Sequence, residues 1–247
     1  MNELLPLADL DTFVSTRRVL HCVAEHVVAK ARFVDDGEIR LTASSSGFAT
    51  PLLADKSRVW VDADELVVDG PSGSRWHHLS TIGEAASFLG VEPGFPSELY
   101  PPATPLHVDE PLRLDRHAAE ALTAWNGFCA ELLASFAIEL TDANPSPLIL
   151  WPEHFDQAFY TEDANETFRA NYGASPGDDG HPEPYLYVGP WQTPAADPFW
   201  NAPSFNGAVL PLSSLTAAAD AAEVALQFYR AGRVRLTAPL SVSRDRG

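Results

Sequence analysis

The segment EPGFPSELYPPATPLHVDEP, residues 92–111, divides the chain and decides how the fold is organised. It contains six prolines. Because proline fixes φ and lacks an amide donor, this segment cannot form a regular helix or a central strand. We predict a proline-rich linker or long surface strap between an N-terminal unit, residues 1–91, and a C-terminal unit, residues 112–240. We expect the two units to form one compact body.

Upstream of this segment, the apolar pattern changes from helical spacing to strand spacing. Residues 11–30 carry apolar side chains at a helical period, which predicts an amphipathic helix. Short stretches with a period of two between residues 38 and 79 predict a small antiparallel sheet. Residues 81–89 follow as a short helical pattern that ends at Gly90.

Downstream of the segment, a helical pattern again precedes strands and a last helix. Asp115 is placed to cap a helix over residues 116–140, which carries a broad apolar stripe. Residues 146–160 and 183–191 read as strands, separated by an irregular segment rich in Gly, Asp and Pro. Residues 215–229 complete the unit as a final helix.

Both parts of the chain therefore show the order helix, strands, helix, which suggests an internal duplication. On this interpretation residues 38–53 correspond to residues 146–160, and residues 80–89 correspond to residues 214–229. We expect an α+β fold in which two similar helix-flanked antiparallel β units pack into one globular body.

The chain is strongly acidic, with 34 Asp and Glu against 16 Lys and Arg and a formal net charge of -18. Such a surface repels phosphate backbones and anionic lipids, so we expect no nucleic-acid and no membrane partner. The apolar runs are shorter than the roughly 20 residues of a membrane span. The N-terminus lacks a signal-peptide pattern, so we expect a cytoplasmic protein. The excess of Arg over Lys suggests a bacterial, GC-rich genome.

The first predicted helix carries the segment HCVAEH, which contains groups found in metal and thiol sites. Cys22 and the distant Cys129 both lie in apolar helical patterns, which favours buried thiols over a disulfide. His21 and Glu25 are one turn apart and could share a metal, but the zinc-peptidase motif and its inverted form are absent. We expect His21 to be solvated and His26 to border the buried face.

The densest polar cluster, residues 151–183, has eight carboxylates and one arginine. On a strand, His154 and Asp156 would project to the same face, and His181 and Glu183 repeat that spacing on the next predicted strand. If the strands are neighbours, the four side chains could bind zinc, manganese or iron, or transfer protons. The alternative is that they are structural, as hydrogen-bonded or solvated turn residues.

Aromatic side chains crowd residues 151–200, enough to line a pocket with polar groups at its edge. The serine-hydrolase elbow, the Walker loop and the dinucleotide-binding glycine motif are all absent from the sequence. Our first hypothesis is a small-molecule-binding protein or enzyme with a His/carboxylate pocket in this region. The second is a non-catalytic acidic module that binds a basic protein partner.

Two motifs also resemble a known sequence pattern. The run LWPEHFD, residues 150–156, is followed by HPEPYLY, residues 181–187. Together they resemble an uncharacterised bacterial family of unknown function, whose members carry a Trp-containing His-Phe-Asp strand, a Pro-Glu-Pro-aromatic strand and a Leu-Pro segment like Leu210-Pro211. The resemblance is closer in the C-terminal half of the chain. It implies a shared fold and a shared polar strand pair, but no reaction.

Overall fold

The structure is a computed structural model that describes residues 4–7, 9–44, 47–162, 168–202 and 204–237. Its helical elements are α1 (Leu10–Val23), a π-helical segment (Ala24–Ala29), α2 (Lys30–Asp36), α3 (Ile82–Leu89), α4 (Arg116–Glu139), α5 (Leu212–Thr216) and α6 (Ala221–Thr237). Its strands are β1 (Thr42–Ser44), β2 (Gly47–Ala49), β3 (Arg58–Asp62), β4 (Glu65–Gly70), β5 (Gly73–His78), β6 (Ile149–Trp151), β7 (Asp156–Glu162), β8 (Arg169–Ser175), β9 (Tyr185–Pro190) and β10 (Ala208–Pro211).

The first helical stretch is continuous from α1 through the π-helical segment to α2. Asp9 caps its start by accepting a hydrogen bond of 2.8 Å from the amide of Thr12. It ends where Gly37 adopts φ 78°, a conformation that glycine adopts without steric cost. The predicted helix over residues 11–30 is confirmed, and it extends further in both directions.

The strands form two five-stranded antiparallel sheets, in the orders β1-β2-β3-β4-β5 and β10-β9-β8-β7-β6. Each is a meander in which strands adjacent in sequence are adjacent in space. The single strand predicted over residues 146–160 is wrong: β6 and β7 are two strands of a hairpin with a turn between them. The irregular segment contains β8, and β10 lies before the last helices, which are α5 and α6.

The two sheets meet at their first strands. Leu41 and Leu150 exchange two backbone hydrogen bonds of 2.9 Å, which join the edge of one meander to the edge of the other. Each half thus contains a helical stretch and a five-stranded meander, followed by α3 in the first half and by α5 and α6 in the second, as expected for an α+β fold with two similar sheet units.

Helix α4 connects the two halves through its packing. Ala119 and Leu122, near its start, belong to the core that covers the first sheet, whereas Leu132 and Phe136 belong to the core that covers the second. By length and composition α4 could span a membrane, but 56% of its most apolar window is buried inside the protein. The core helix of a soluble protein can have the same length and composition.

Candidate functional site

The candidate site lies on the second sheet, where the β6–β7 turn, the loop after β8 and strand β9 come together. These three segments belong to neighbouring strands of one meander, so their ends lie side by side. They carry the polar and aromatic residues singled out in the sequence. Two adjoining clefts open here, and His154 and Asp178 line both.

The turn between β6 and β7 is fixed against helix α1. Phe155 has a positive φ of 55°, which is unusual for a residue other than glycine, and its amide donates to the carbonyl of Trp151 at 2.7 Å. The buried Phe155 ring stacks on His21 with a centroid distance of 5.0 Å. His21 Nε2 lies 2.8 Å from the carbonyl oxygen of Pro152. His21 is therefore a structural anchor of the turn. The expectation that His21 is solvated is wrong.

Because residues 152–155 form this turn, His154 and Asp156 do not alternate along one strand as predicted. His154 is exposed in the turn, and its ring meets the ring of Tyr100 from the proline-rich segment at 5.7 Å. Asp156 is the first residue of β7. The tertiary fold nevertheless brings both side chains to the same cleft.

Asp156 and Tyr187 form the central hydrogen bond of this cleft. The Tyr187 hydroxyl donates to Asp156 Oδ2. The other oxygen, Asp156 Oδ1, is buried and accepts no hydrogen bond from the described residues. Burial raises the pKa of Asp156, and the hydrogen bond from Tyr187 opposes that shift. Burial and the neighbouring Asp156 also raise the pKa of Tyr187 well above its ordinary value, which keeps the hydroxyl protonated as a donor.

A glycine on the adjacent strand makes room for this hydrogen bond. Gly173 of β8 is the cross-strand partner of Tyr187. A methyl group at Gly173 would lie 2.4 Å from the Tyr187 ring and 2.5 Å from its hydroxyl oxygen. The Tyr187 side chain therefore crosses over Gly173 to reach Asp156.

The cleft around Asp156, which we call the aromatic cleft, has a volume of about 530 Å³. The rings of Tyr185 and Tyr187 are 6.3 Å apart, and Phe205 meets Tyr187 edge-on at 6.1 Å. The Tyr185 hydroxyl donates to Asp178 Oδ2 at 2.6 Å. The cleft is lined by His154, Asp156, Asn171, Ser175, Asp178, Tyr185, Tyr187, Gly189, Pro190, Trp191, Phe205 and Asn206.

The second cleft, which we call the strap cleft, has a volume of about 600 Å³ and lies between α1, the proline-rich segment and the β6–β7 turn. Glu153 lies in its wall and is 8% exposed. Its Oε2 atom is buried and has no hydrogen-bond partner among the described residues. Burial raises the pKa of Glu153, and the nearby Asp156 contributes to the same shift.

The proline-rich segment is a strap held down by two buried side chains of the π-helical segment. Glu25 accepts hydrogen bonds of 2.8 Å from the amides of Ala103 and Thr104, and a further bond from the Thr104 hydroxyl. His26 Nδ1 accepts from the amide of Phe95 at 3.0 Å. The proton of neutral His26 is therefore on Nε2, which lies 3.0 Å from the Thr104 carbonyl and donates to it.

The loop after β8 is held by the buried Arg17. Its Nη1 donates to the carbonyls of Pro176 at 3.4 Å and Pro182 at 3.2 Å. Gly177, with φ 100°, lies against the Arg17 side chain. A methyl group at Gly177 would lie 2.4 Å from Arg17 Nη1. This contact fixes the loop that carries Asp178 to the wall shared by the two clefts.

His181 and Glu183 do not join His154 and Asp156. Strand β9 begins at Tyr185, so both residues precede it in a loop. The His181 ring packs against Tyr185 at 5.1 Å, and Glu183 accepts a hydrogen bond from the Ser213 amide at the start of α5. Within the described residues no group of three or more His, Cys, Asp or Glu side chains is placed to share a metal. The hypothesis that all four candidates converge required neighbouring strands, and they do not converge because β8 lies between β7 and β9.

Sequence reasoning counted Tyr187 among the aromatic side chains that could line a pocket and Glu153 among the carboxylates of the polar cluster. It predicted neither the hydrogen bond from Tyr187 to Asp156 nor the burial of Glu153. The pattern Tyr185-Leu186-Tyr187 places both tyrosines on one face of a strand, which is consistent with their lining one cleft. No local pattern marks Glu153, because its burial depends on the turn and on α1. In comparisons with known proteins, the chain matches no protein-family model, no curated protein and no solved structure.

Proposed function

We propose that this protein binds a small organic cation in the aromatic cleft, with Asp156 as its anionic anchor. The observation that carries the proposal is the buried Asp156 Oδ1 atom, which lacks a hydrogen-bond partner in the described part of the chain. A buried carboxylate oxygen without a donor costs free energy, and a bound cation would offset this cost. We place this function in the cytoplasm, because Cys22 and Cys129 are both free thiols.

The walls of the cleft support a cation of the alkylated ammonium class. Tyr185, Tyr187 and Phe205 present aromatic rings beside the carboxylate. Aromatic side chains attract cations through the ring quadrupole, and aromatic cages recognise quaternary ammonium groups in this way. The overall charge of -18 raises the local concentration of cations around the protein.

The test is isothermal titration calorimetry with tetramethylammonium and with tert-butanol, a neutral molecule of similar size. We expect the cation to bind and tert-butanol not to bind. Asp156→Asn should lower the affinity for tetramethylammonium by about tenfold or more, since the substitution removes the negative charge but keeps an acceptor for the Tyr187 hydroxyl. Asp179→Asn, at an exposed carboxylate outside the aromatic cleft, is the matched control.

Equal binding of both probes, or unchanged affinity in Asp156→Asn, would refute the proposal. In that event the acidic surface itself becomes the candidate, as a site for a basic protein partner.

A further inference from the structure

We propose that the strap cleft is a second subsite, in which Glu153 binds the primary ammonium group of a ligand whose alkylated ammonium end occupies the aromatic cleft. This inference rests on the proposed function above and specifies its ligand as an organic dication with two different ends.

The first argument is the state of Glu153. More than nine-tenths of the residue is buried, it lies in the wall of the strap cleft, and its Oε2 atom has no partner among the described residues. Leaving a buried carboxylate oxygen unpaired is costly, and a donor from a ligand would remove that cost. The guanidinium fork is matched to both oxygens of a carboxylate, whereas only Oε2 of Glu153 is buried without a partner among the described residues. A primary ammonium is a compact charge with three N–H donors, so it suits this single oxygen better.

The second argument is that the other charged groups of the strap cleft already have partners. Arg18 pairs with Asp179 at 2.6 Å. Arg17 donates to two backbone carbonyls, as described above. Asp178 accepts hydrogen bonds from Tyr185 and from the amide of His181. Both arginines are thus engaged within the protein, which disfavours an anionic ligand in this cleft.

The third argument is that the two unpartnered carboxylate oxygens belong to adjoining clefts. His154 and Asp178 line both clefts. Glu153 lies in the β6–β7 turn and Asp156 follows that turn as the first residue of β7. A single chain with a positive charge at each end could therefore pass the shared wall and reach both carboxylates.

The experiment compares two probes of equal chain length by isothermal titration calorimetry with the full chain. One is an aminoalkyl-trimethylammonium ion and the other is the alkyl-trimethylammonium ion that lacks the amine. Several chain lengths are used, and each pair is titrated into wild type, Glu153→Gln and Glu110→Gln. Glu110 is an exposed carboxylate of the same cleft, 3.6 Å from His107, so it controls for the general loss of one negative charge.

We expect the amino group to improve affinity by about tenfold at the best chain length in wild type and in Glu110→Gln, as one additional charged contact would. Glu153→Gln should lose this advantage. The alkyl-trimethylammonium probe should bind all three proteins equally, which also shows that the Gln variant is folded. An equal affinity for the two probes in wild type, or an amine advantage that persists in Glu153→Gln, overturns the inference.

A separate measurement distinguishes failure of the inference from failure of the proposed function. Butylamine alone is titrated while the amide chemical shifts of His21 and Thr104, in the wall of the strap cleft, are followed by NMR. Shifts that require Glu153 support the amine subsite even if tetramethylammonium does not bind. Absence of such shifts while tetramethylammonium binds overturns the subsite and leaves the proposed function intact.

Discussion

At the scale of single residues, Asp156 combines a functional geometry with a cost to stability. One of its oxygens accepts a hydrogen bond from Tyr187, whereas the other is buried without a donor from the described residues. Sites that bind ligands often keep such unsatisfied groups, because the ligand supplies the missing interaction. The unliganded protein is therefore less stable than its packing would allow.

The first prediction concerns pH and Asp156→Asn. Burial raises the folded-state pKa of Asp156 above its unfolded value of 3.8, so the folded state binds the proton more tightly. Protonation of Asp156 therefore stabilises the folded state. This stabilisation is fully present below the unfolded pKa and is lost as the pH rises through the folded pKa. The Asn variant should therefore be more stable than wild type at pH 7, and this advantage should vanish in acid.

Urea denaturation of both proteins over a pH series measures this difference. Asp179→Asn, at a solvent-screened exposed ion pair, should leave the free energy of unfolding nearly unchanged. A loss of stability in Asp156→Asn at neutral pH would contradict the prediction.

The second prediction concerns the glycine that Tyr187 crosses. Gly173→Ala should displace the Tyr187 ring, break its bond to Asp156 and lower the free energy of unfolding by about 1–3 kcal/mol, as overpacking does. Binding of tetramethylammonium should weaken in parallel. Gly189→Ala is the matched control for the effect on stability, because a methyl group at Gly189 meets its nearest neighbour, the Tyr187 ring, at an ordinary 3.8 Å. Equal effects of the two substitutions would argue against this role of Gly173.

At the scale of elements, the strap and the π-helical segment depend on each other. The strap cannot form ladder hydrogen bonds along its prolines, so its amides are satisfied by scattered backbone carbonyls and by side chains. Glu25 and His26, neighbours in the π-helical segment, do this for Phe95, Ala103 and Thr104. A π-helical segment inside an α-helix is uncommon and is frequently found at functional sites.

The third prediction tests this attachment. Glu25→Ala leaves the amides of Ala103 and Thr104 without their acceptor, so the strap should open locally. Glu25 accepts three partly buried hydrogen bonds from these two residues, and each contributes about 0.5–1.5 kcal/mol, so the exchange of the two amides should accelerate by about tenfold or more. Hydrogen exchange followed by NMR measures it, and Glu98→Ala, at an exposed residue of the same strap, is the control. Unchanged exchange at Thr104 would show that Glu25 does not hold the strap.

At the scale of the whole molecule, the two halves share one helix. The start of α4 completes the core over the first sheet, and the rest of α4 fills the core over the second. The Leu41–Leu150 pairing joins the sheets at their first strands. Since neither core is complete without α4, the halves should be a single cooperative unit.

The fourth prediction follows from that shared helix. Leu122→Ala in the first core and Leu132→Ala in the second should each lower the free energy of unfolding by about 2–5 kcal/mol. Both variants should keep one transition, with circular dichroism and tryptophan fluorescence changing together. Two separate transitions, with each substitution shifting only one of them, would show that the halves unfold independently.

Local patterns were enough to predict the long helices and the position of the strap, although the last predicted helix, residues 215–229, is divided into α5 and α6. A period of three to four residues marks α4, and six prolines exclude regular structure from residues 92–111. Strand β8 was missed because its burial is nearly continuous and it contains Asn171 and Gly173, so it shows neither alternation nor β-branched residues. The single strand predicted over residues 146–160 failed because the turn at Phe155 breaks an apolar run without a glycine.

Contacts between residues distant in sequence select which polar groups form the site. The bond between Asp156 and Tyr187 links different strands, and the burial of Glu153 depends on packing between the turn and α1. Glu25 accepts hydrogen bonds from the amides of Ala103 and Thr104, which are 78 and 79 residues away in the sequence. A local period fixes which face of an element is apolar, but not which distant element covers that face. The residues of the region could therefore be named from the sequence, whereas their pairing required the fold.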